Sequence, residues 1–346
     1  MKVLVTGAAG FLGSHVCELF KAKRWDVVGY DNLTKFELNR TPYNAEASRQ
    51  YIVDFLKSID VPLVVGDIRD YDNLIKAAEG CDYIINCAAQ PAMTVAIEKP
   101  HYDADVNIMG ALNVLEVGRI NKIPVALCST IHVYGNGLNE DLYDKGTNRF
   151  YIPCESFSEH FQFKLLTGQI TPLHVSKYTE ELYARAFIES YQSKVFVARL
   201  TGIYGERQFG GEDHGWVANF AISTLMGYPI KVFGTDKQCR DILYVKDAAR
   251  AFYDWFVSGQ ESGVFNIGGG VSCLTSLKDC LDDLYLITGI DQNISLLPAR
   301  PGDLWYFCCD TTKAGNSFGW LSVILPNNGL LRLVKWVEKN RELFRK

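Results

Sequence analysis

Apolar and polar positions in the first half of the chain alternate between two periodicities. Short β-branched runs at 2–6, 26–30, 63–65, 83–87, 125–128 and 195–200 read as buried strands. Between them, apolar residues at helical spacing predict helices over 11–23, 70–79, 103–121 and 172–192. Strand–helix alternation of this kind is the signature of right-handed βαβ units, so the pattern predicts an α/β fold with a doubly wound parallel sheet. The second half is less regular, with helices predicted at 215–227, 246–258, 276–288 and 328–343. Stretches 32–61 and 136–171 read as long connections. The second is rich in aromatic and polar residues without a clean period, the character of a lid or binding loop.

Composition narrows the class. With 346 residues, 48% of them apolar and 22% charged, the chain can bury a sizeable core, and its length fits about two domains. The 35 Lys+Arg against 40 Asp+Glu give a net charge of −5 without a basic run, which argues against a nucleic-acid or anionic-membrane partner. No apolar run approaches the roughly 18 residues of a membrane span. The N-terminal run turns glycine-rich after a few apolar positions, so it reads as a strand and not as a signal peptide. The ten cysteines show no C-x-x-C pair and no histidine at zinc-ligand spacing, so no metal is expected. Several, Cys87 and Cys128 among them, sit in apolar runs and read as reduced core thiols of a cytoplasmic protein.

Thr6-Gly7-Ala8-Ala9-Gly10-Phe11-Leu12-Gly13 follows the first strand and opens the first helix. Gly7 suits a tight turn, Gly10 a close approach of backbone to a pyrophosphate, and Gly13 close helix packing, with the helix N-terminus facing the phosphates. The spacing is G-x-x-G-x-x-G. Asp31 ends the second strand, where a carboxylate can accept both adenosine ribose hydroxyls and repel a 2′-phosphate, favouring NAD over NADP. Asp67-Ile68 after the third strand can hold the adenine, and Cys87-Ala88-Ala89 after the fourth are small enough for the cofactor to pass. The reading is a Rossmann-type NAD-binding half.

Together with these residues, Asn32, Gln90, Asn107, Ser129-Thr130, Val133-Tyr134-Gly135, Ser176-Lys177, Arg240-Asp241, Phe265–Gly269 and Arg300-Pro301-Gly302-Asp303 make the chain resemble the extended short-chain dehydrogenase/reductase family, in its nucleotide-diphosphate-sugar branch. Within that branch it is most similar to the subgroup that inverts C2 of a CDP-hexose, on Gln90–Thr94, Arg207-Gln208-Phe209, Asp213–Val217 and Asp236–Asp241. The resemblance implies an NAD-binding unit over 1–198, with 241–267 returning to it. A smaller α/β unit for the nucleotide sugar would then comprise 199–240 and 268–346. It places Gln90, Asn107, Ser129 and Lys177 with the cofactor, and Met93, Thr130, Arg207, Trp216, Arg240, Arg300 and Asp303 with the sugar nucleotide. It also implies a homodimer through helices 103–121 and 172–192, with apolar faces such as Leu112, Leu115, Val175, Leu182 and Ala186.

One expected residue is missing. The family's proton-carrying Tyr lies four residues before Lys177, and that position is Leu173, which cannot carry a proton. Thr130 and Lys177 keep their family positions, and His174, His132 or a water is left to replace the phenol. Ile131-His132 stand where dehydratases of the family carry Asp-Glu, which disfavours dehydration. The readings left open are an epimerase that abstracts and returns a hydride, a ketoreductase-type variant, and a non-catalytic binder of NAD or a nucleotide sugar.

Overall fold

A computed structural model of the chain describes residues 1–38, 40–152 and 165–346. The expected alternation is present as β1 (Lys2–Thr6), α1 (Phe11–Ala22), β2 (Asp26–Asp31), α2 (Ser48–Ser58), β3 (Leu63–Val65), α3 (Tyr71–Ala77) and β4 (Tyr83–Asn86). Next come α4 (Met93–Glu98), α5 (Pro100–Ala104), a π-helical turn (Asp105–Gly110), α6 (Ala111–Asn121) and β5 (Val125–Thr130). A hairpin of β6 (Tyr143–Asp144) and β7 (Phe150–Tyr151) precedes α7 (Pro172–Tyr191), β8 (Val195–Leu200) and β9 (Gly202–Tyr204). The remainder is α8 (Trp216–Met226), β10 (Ile230–Phe233), β11 (Cys239–Tyr244), α9 (Val245–Ser258), β12 (Gly263–Ile267) and β13 (Leu274–Ser276). It ends with α10 (Leu277–Thr288), β14 (Ile294–Leu297), β15 (Tyr306–Phe307), α11 (Thr312–Phe318) and α12 (Pro326–Lys339).

Seven strands form one sheet in the order β3-β2-β1-β4-β5-β8-β12, every pair parallel. The pleat explains its two-sided burial. Val3 and Val5 face a core that includes Phe20, Phe252 and Trp255, and Leu4 faces one with Leu74, Val114 and Phe187. The chain runs outward from β1 to β3 and then crosses back to β4. That reversal leaves a crevice at the carboxyl ends of β1 and β4, the place where open α/β sheets bind ligands. Further strands form small sheets, β13-β11-β15 with β9 against β11 and β10 against β14, and Phe233 and Arg240 from them share a cavity lining with Thr130 and Leu200 at the carboxyl ends of β5 and β8.

Two expectations need correction. The connection 32–61 contains α2, whose Ile52 and Leu56, four residues apart, are fully buried. Apolar Tyr51, Val53 and Phe55 on neighbouring positions blur the period. The helix expected over 103–121 begins at Pro100 and is interrupted by the π turn. β11 pairs with β13, β15 and β9, and β12 pairs with β8 in the large sheet. Of the connection 136–171, positions 153–164 lie outside the described residues, and Cys154 and the lid reading lie there with them. Among the described residues no helix is long and apolar enough to cross a membrane.

Candidate active site

The turn between β1 and α1 is packed so closely that only glycine fits. Gly7 has φ +66°, and a Cβ there would lie 2.6 Å from the backbone nitrogen of Ala88. A Cβ on Gly13 would lie 2.1 Å from the Gly7 carbonyl oxygen. The first turn of α1 therefore folds onto the glycine turn itself. No side chain caps α1 at Gly10, so its leading N–H groups are free for an anion.

Beside this turn lies a cavity of about 340 Å³. It is bordered by Gly7, Gly10, Phe11 and Leu12, by Asp31, Asn32, Asp67 and Ile68, and by Cys87, Ala88, Ala89, Ser129 and Lys177. Asp31 Oδ2 accepts from the Ala9 N–H at 2.9 Å and Oδ1 from the Leu33 N–H at 2.7 Å, which fixes the carboxylate at the end of β2. Asp67 is gripped by Arg69 and by the Asn32 amide, and the Arg69 hydrogen bonds hold its carboxyl at about 2. Gly13, Gln90 and Asn107 are not among the bordering residues. Asn107, inside the π turn, donates to the Gln90 carbonyl and to Asp103, so this pair shapes the wall from behind.

A second cavity of about 350 Å³ is bordered by Met93, Trp216, Arg240, Arg300 and Asp303. Arg240 donates to the Leu304 carbonyl and lies 3.9 Å from Asp303. Arg300 stacks on Phe233 at 3.5 Å and donates to the Glu212 carbonyl at 2.7 Å. Its other terminal nitrogen is 3.6 Å from Asp213, whose side chain is nearly inaccessible. Both guanidiniums, expected on the sugar nucleotide, thus have internal partners in this state. Arg207 is elsewhere: it borders the first cavity, donates to Ser14 Oγ at 3.1 Å and to Glu18 at 2.6 Å, and covers Phe55.

The two cavities share Thr130 and His132 from the end of β5, Thr201 after β8 and His214 before α8. Lys177 borders only the first; its ammonium donates to the Cys128 carbonyl at 2.8 Å and to Glu180 at 2.7 Å. Leu173, one turn earlier on α7, borders that cavity too, with an apolar surface where a phenol was expected.

The two candidate histidines separate here. His174 is the third residue of α7. Its Nδ1 accepts from the Thr171 N–H at 3.1 Å while Thr171 caps the helix in return, a capping box with imidazole in the place of a carboxylate. The side chain is buried, borders neither cavity, and is held by burial at about 4. His132 borders both cavities, with its ring centroid 5.5 Å from that of His174. Its Nδ1 is buried without a partner. Burial first, then His174 and Arg240, lower it to about 3, so the ring is neutral and a weak base.

Arg49, Thr201 and His214 border the cavities and were not singled out from sequence. Arg49 sits on α2, the helix missed in a long connection, and reaches the turn through the Ala9 carbonyl. His214 falls in the stretch Asp213–Val217 that carried the finer resemblance, which was a usable signal. Thr201 had none.

Comparison with known proteins agrees with this geometry. The model of the NAD dependent epimerase/dehydratase family matches residues 3–268. CDP-paratose 2-epimerase of Salmonella typhi is 27% identical, covering 97% of this chain and 99% of its own. UDP-glucose 4-epimerase of Thermus thermophilus, solved in complex with NAD, is 28% identical at a TM-score of 0.78, covering 98% of this chain and all of its own. The Thermotoga maritima UDP-glucose 4-epimerase, solved with UDP-glucose, is 28% identical at 0.77, covering 99% of this chain and all of its own.

Proposed function

The chain belongs to the NAD-dependent epimerase/dehydratase family and is an NAD-dependent enzyme of it, and we propose that it epimerises a nucleotide-diphosphate sugar, with C2 of a CDP-hexose as the leading case. One observation carries this reading: the cavity beside the glycine turn and the cavity beside Arg240 and Arg300 meet at Thr130 and His132. A reacting sugar carbon has to lie where cofactor and substrate spaces join, and that junction holds a hydroxyl and an imidazole.

When bound, NAD supplies reversible acceptance of a hydride. The rest falls to the chain's own residues. The free N–H groups of α1 face the pyrophosphate, Asp31 the adenosine ribose, and Asp67 with Ile68 the adenine. Lys177, tied to the Cys128 carbonyl and Glu180, presents its charge at the ribose nearer the junction. Arg240 and Arg300 grip the diphosphate of the substrate, with Met93, Trp216 and Asp303 around it. Thr130 hydrogen-bonds the reacting oxygen, and the His132 ring takes its proton in place of the absent phenol. Burial holds the ring well below neutral pH, so the imidazolium forms only transiently and gives the proton back. We assign Arg207 to the cofactor cavity instead of the sugar, and His174 to the capping of α7.

We also propose a homodimer through α6 and α7. Val175 and Leu182 are exposed on α7 and Met109 and Ile120 lie exposed nearby, whereas Leu115 belongs to the core.

The test is to load the purified protein with NAD, follow the absorbance of reduced nicotinamide against CDP-, UDP-, GDP- and dTDP-sugars, and read the recovered sugar by NMR. A transient rise with one sugar and an inverted centre is the expected result. Silence across the panel with nucleotide-sugar binding intact would favour the reading that Leu173 supports, a binder or an enzyme working on a pre-oxidised sugar.

A further inference from the structure

Cys87 and Cys128 are the described cysteines that are only partly buried; the other seven described are buried. Both border the cofactor cavity, and their sulfurs are 3.8 Å apart. The placement follows from the sheet. β4 and β5 pair in parallel up to Asn86 opposite Leu127, and the two cysteines stand one position further along each strand. Adjacent strands lie about 4.8 Å apart, inside the Cα separation of about 4.4–6.8 Å that a disulfide spans. Closing the remaining gap between the sulfurs takes a side-chain rotation and a small approach of the two strand ends, because Cβ atoms of parallel neighbours stand about 4.8 Å apart and a disulfide holds them at about 3.8 Å.

We propose that Cys87 and Cys128 form a modification site, a dithiol on the floor of the cofactor cavity that a small disulfide oxidises to an intramolecular disulfide when the cofactor is absent. With glutathione disulfide as the oxidant, one cysteine thiolate attacks a glutathione sulfur and the first glutathione thiolate leaves. The neighbouring thiolate attacks the mixed disulfide and releases the second. One S–S bond forms in the chain, one is reduced in the oxidant, and both cysteine protons end on glutathione. The thiol neighbour and burial push Cys87 well above the usual thiol range, so the reaction is slow at neutral pH and quickens in alkali. Its consequence is local. Ala88 and Ala89 follow Cys87, Ser129 and Thr130 follow Cys128, and the Cys128 carbonyl anchors Lys177. Bridging the two strand ends shifts that wall and lowers NAD affinity.

The test uses the full chain stripped of cofactor, incubated with glutathione disulfide and digested without reductant. A Cys87–Cys128 cross-linked peptide, an intact mass lower by two hydrogens, and a loss of NAD affinity of about tenfold or more that dithiothreitol reverses are expected. Saturating NAD should slow the cross-linking at least about tenfold, because it covers the pair. Cys128→Ala, compared with its own untreated form, should lose the affinity response. No cross-link while other thiols oxidise, a cross-link with unchanged NAD affinity, or equal rates with and without NAD would each overturn the proposal. These readouts are independent of turnover, so they stand apart from the choice of sugar substrate.

Discussion

The two cavities are built by different means. Beside the glycine turn the walls are largely backbone: a turn without Cβ atoms, uncapped N–H groups of α1 and the ends of parallel strands met in sequence order. Beside Arg240 and Arg300 the walls are side chains delivered from distant points, Met93, His132, Asp213, Trp216, Phe233 and Asp303, and the charged ones are already paired with each other. A backbone site is stiff and tolerates no added atoms. A side-chain site tolerates substitution but must exchange internal partners for the ligand, so its defects should appear as graded losses.

The largest effect is expected at the stiff site. Gly7→Val puts a β-branched side chain at φ +66° and 2.6 Å from the Ala88 nitrogen, so the turn cannot keep its shape. The cost should exceed about 3 kcal/mol from backbone strain and clash together, and the protein should purify without NAD. NAD retained at the wild-type level would show that the cofactor lies elsewhere.

At the junction of the cavities, His132→Asn removes the proposed proton carrier. Turnover should fall about 10²- to 10⁴-fold, the range for a general base, while NAD retention and nucleotide-sugar affinity stay near wild type. An equal fall in sugar affinity would assign His132 to binding and reopen the water route.

In the side-chain site, Arg300→Ala should raise KM about tenfold to a hundredfold, from the loss of one charge-assisted hydrogen-bonding group worth about 1.5–3 kcal/mol. NAD affinity should not change, because Arg300 borders the second cavity alone. A coupled loss of both ligands would mean that the cavities do not act separately.

The same contrast explains what could be read from sequence. The glycine turn, Asp31 and Asp67 lie in two consecutive βαβ units, where their spacing along the chain places them. α2 is hard to read because apolar Tyr51, Val53 and Phe55 flank its buried Ile52 and Leu56 and blur the helical period, and Arg49 goes unread with it. Arg207 sits near the sugar-side residues in sequence, but its left-handed backbone turns it toward Ser14 and Glu18, and no local pattern reports a φ of +63°. The choice between His132 and His174 was open for the same reason. Their ring centroids are only 5.5 Å apart, and what divides them is which one the helix cap consumes.

That division yields the smallest predicted effect and a sign that can be checked. Gln at the third helical position can accept from the N-cap N–H as the imidazole does, so His174→Gln should cost under about 1 kcal/mol near pH 8. Acid should reverse the order. The folded protein holds His174 near 4 and the unfolded chain near 6.5, so the unfolded state binds the proton first and wild-type stability is lost as pH falls through 6.5 toward 4. Each pH unit in that window removes up to about 1.4 kcal/mol per buried histidine. The variant lacks this penalty at position 174, although His132 and His15, lowered to about 3 and about 4, still carry theirs. Denaturation midpoints should therefore cross, with the variant the less stable at pH 8 and the more stable by about 1–2 kcal/mol at pH 5. Parallel curves would mean that His174 is protonated in the folded state. The cap would then be unable to accept from Thr171, and His174 would again be free to serve as the proton carrier.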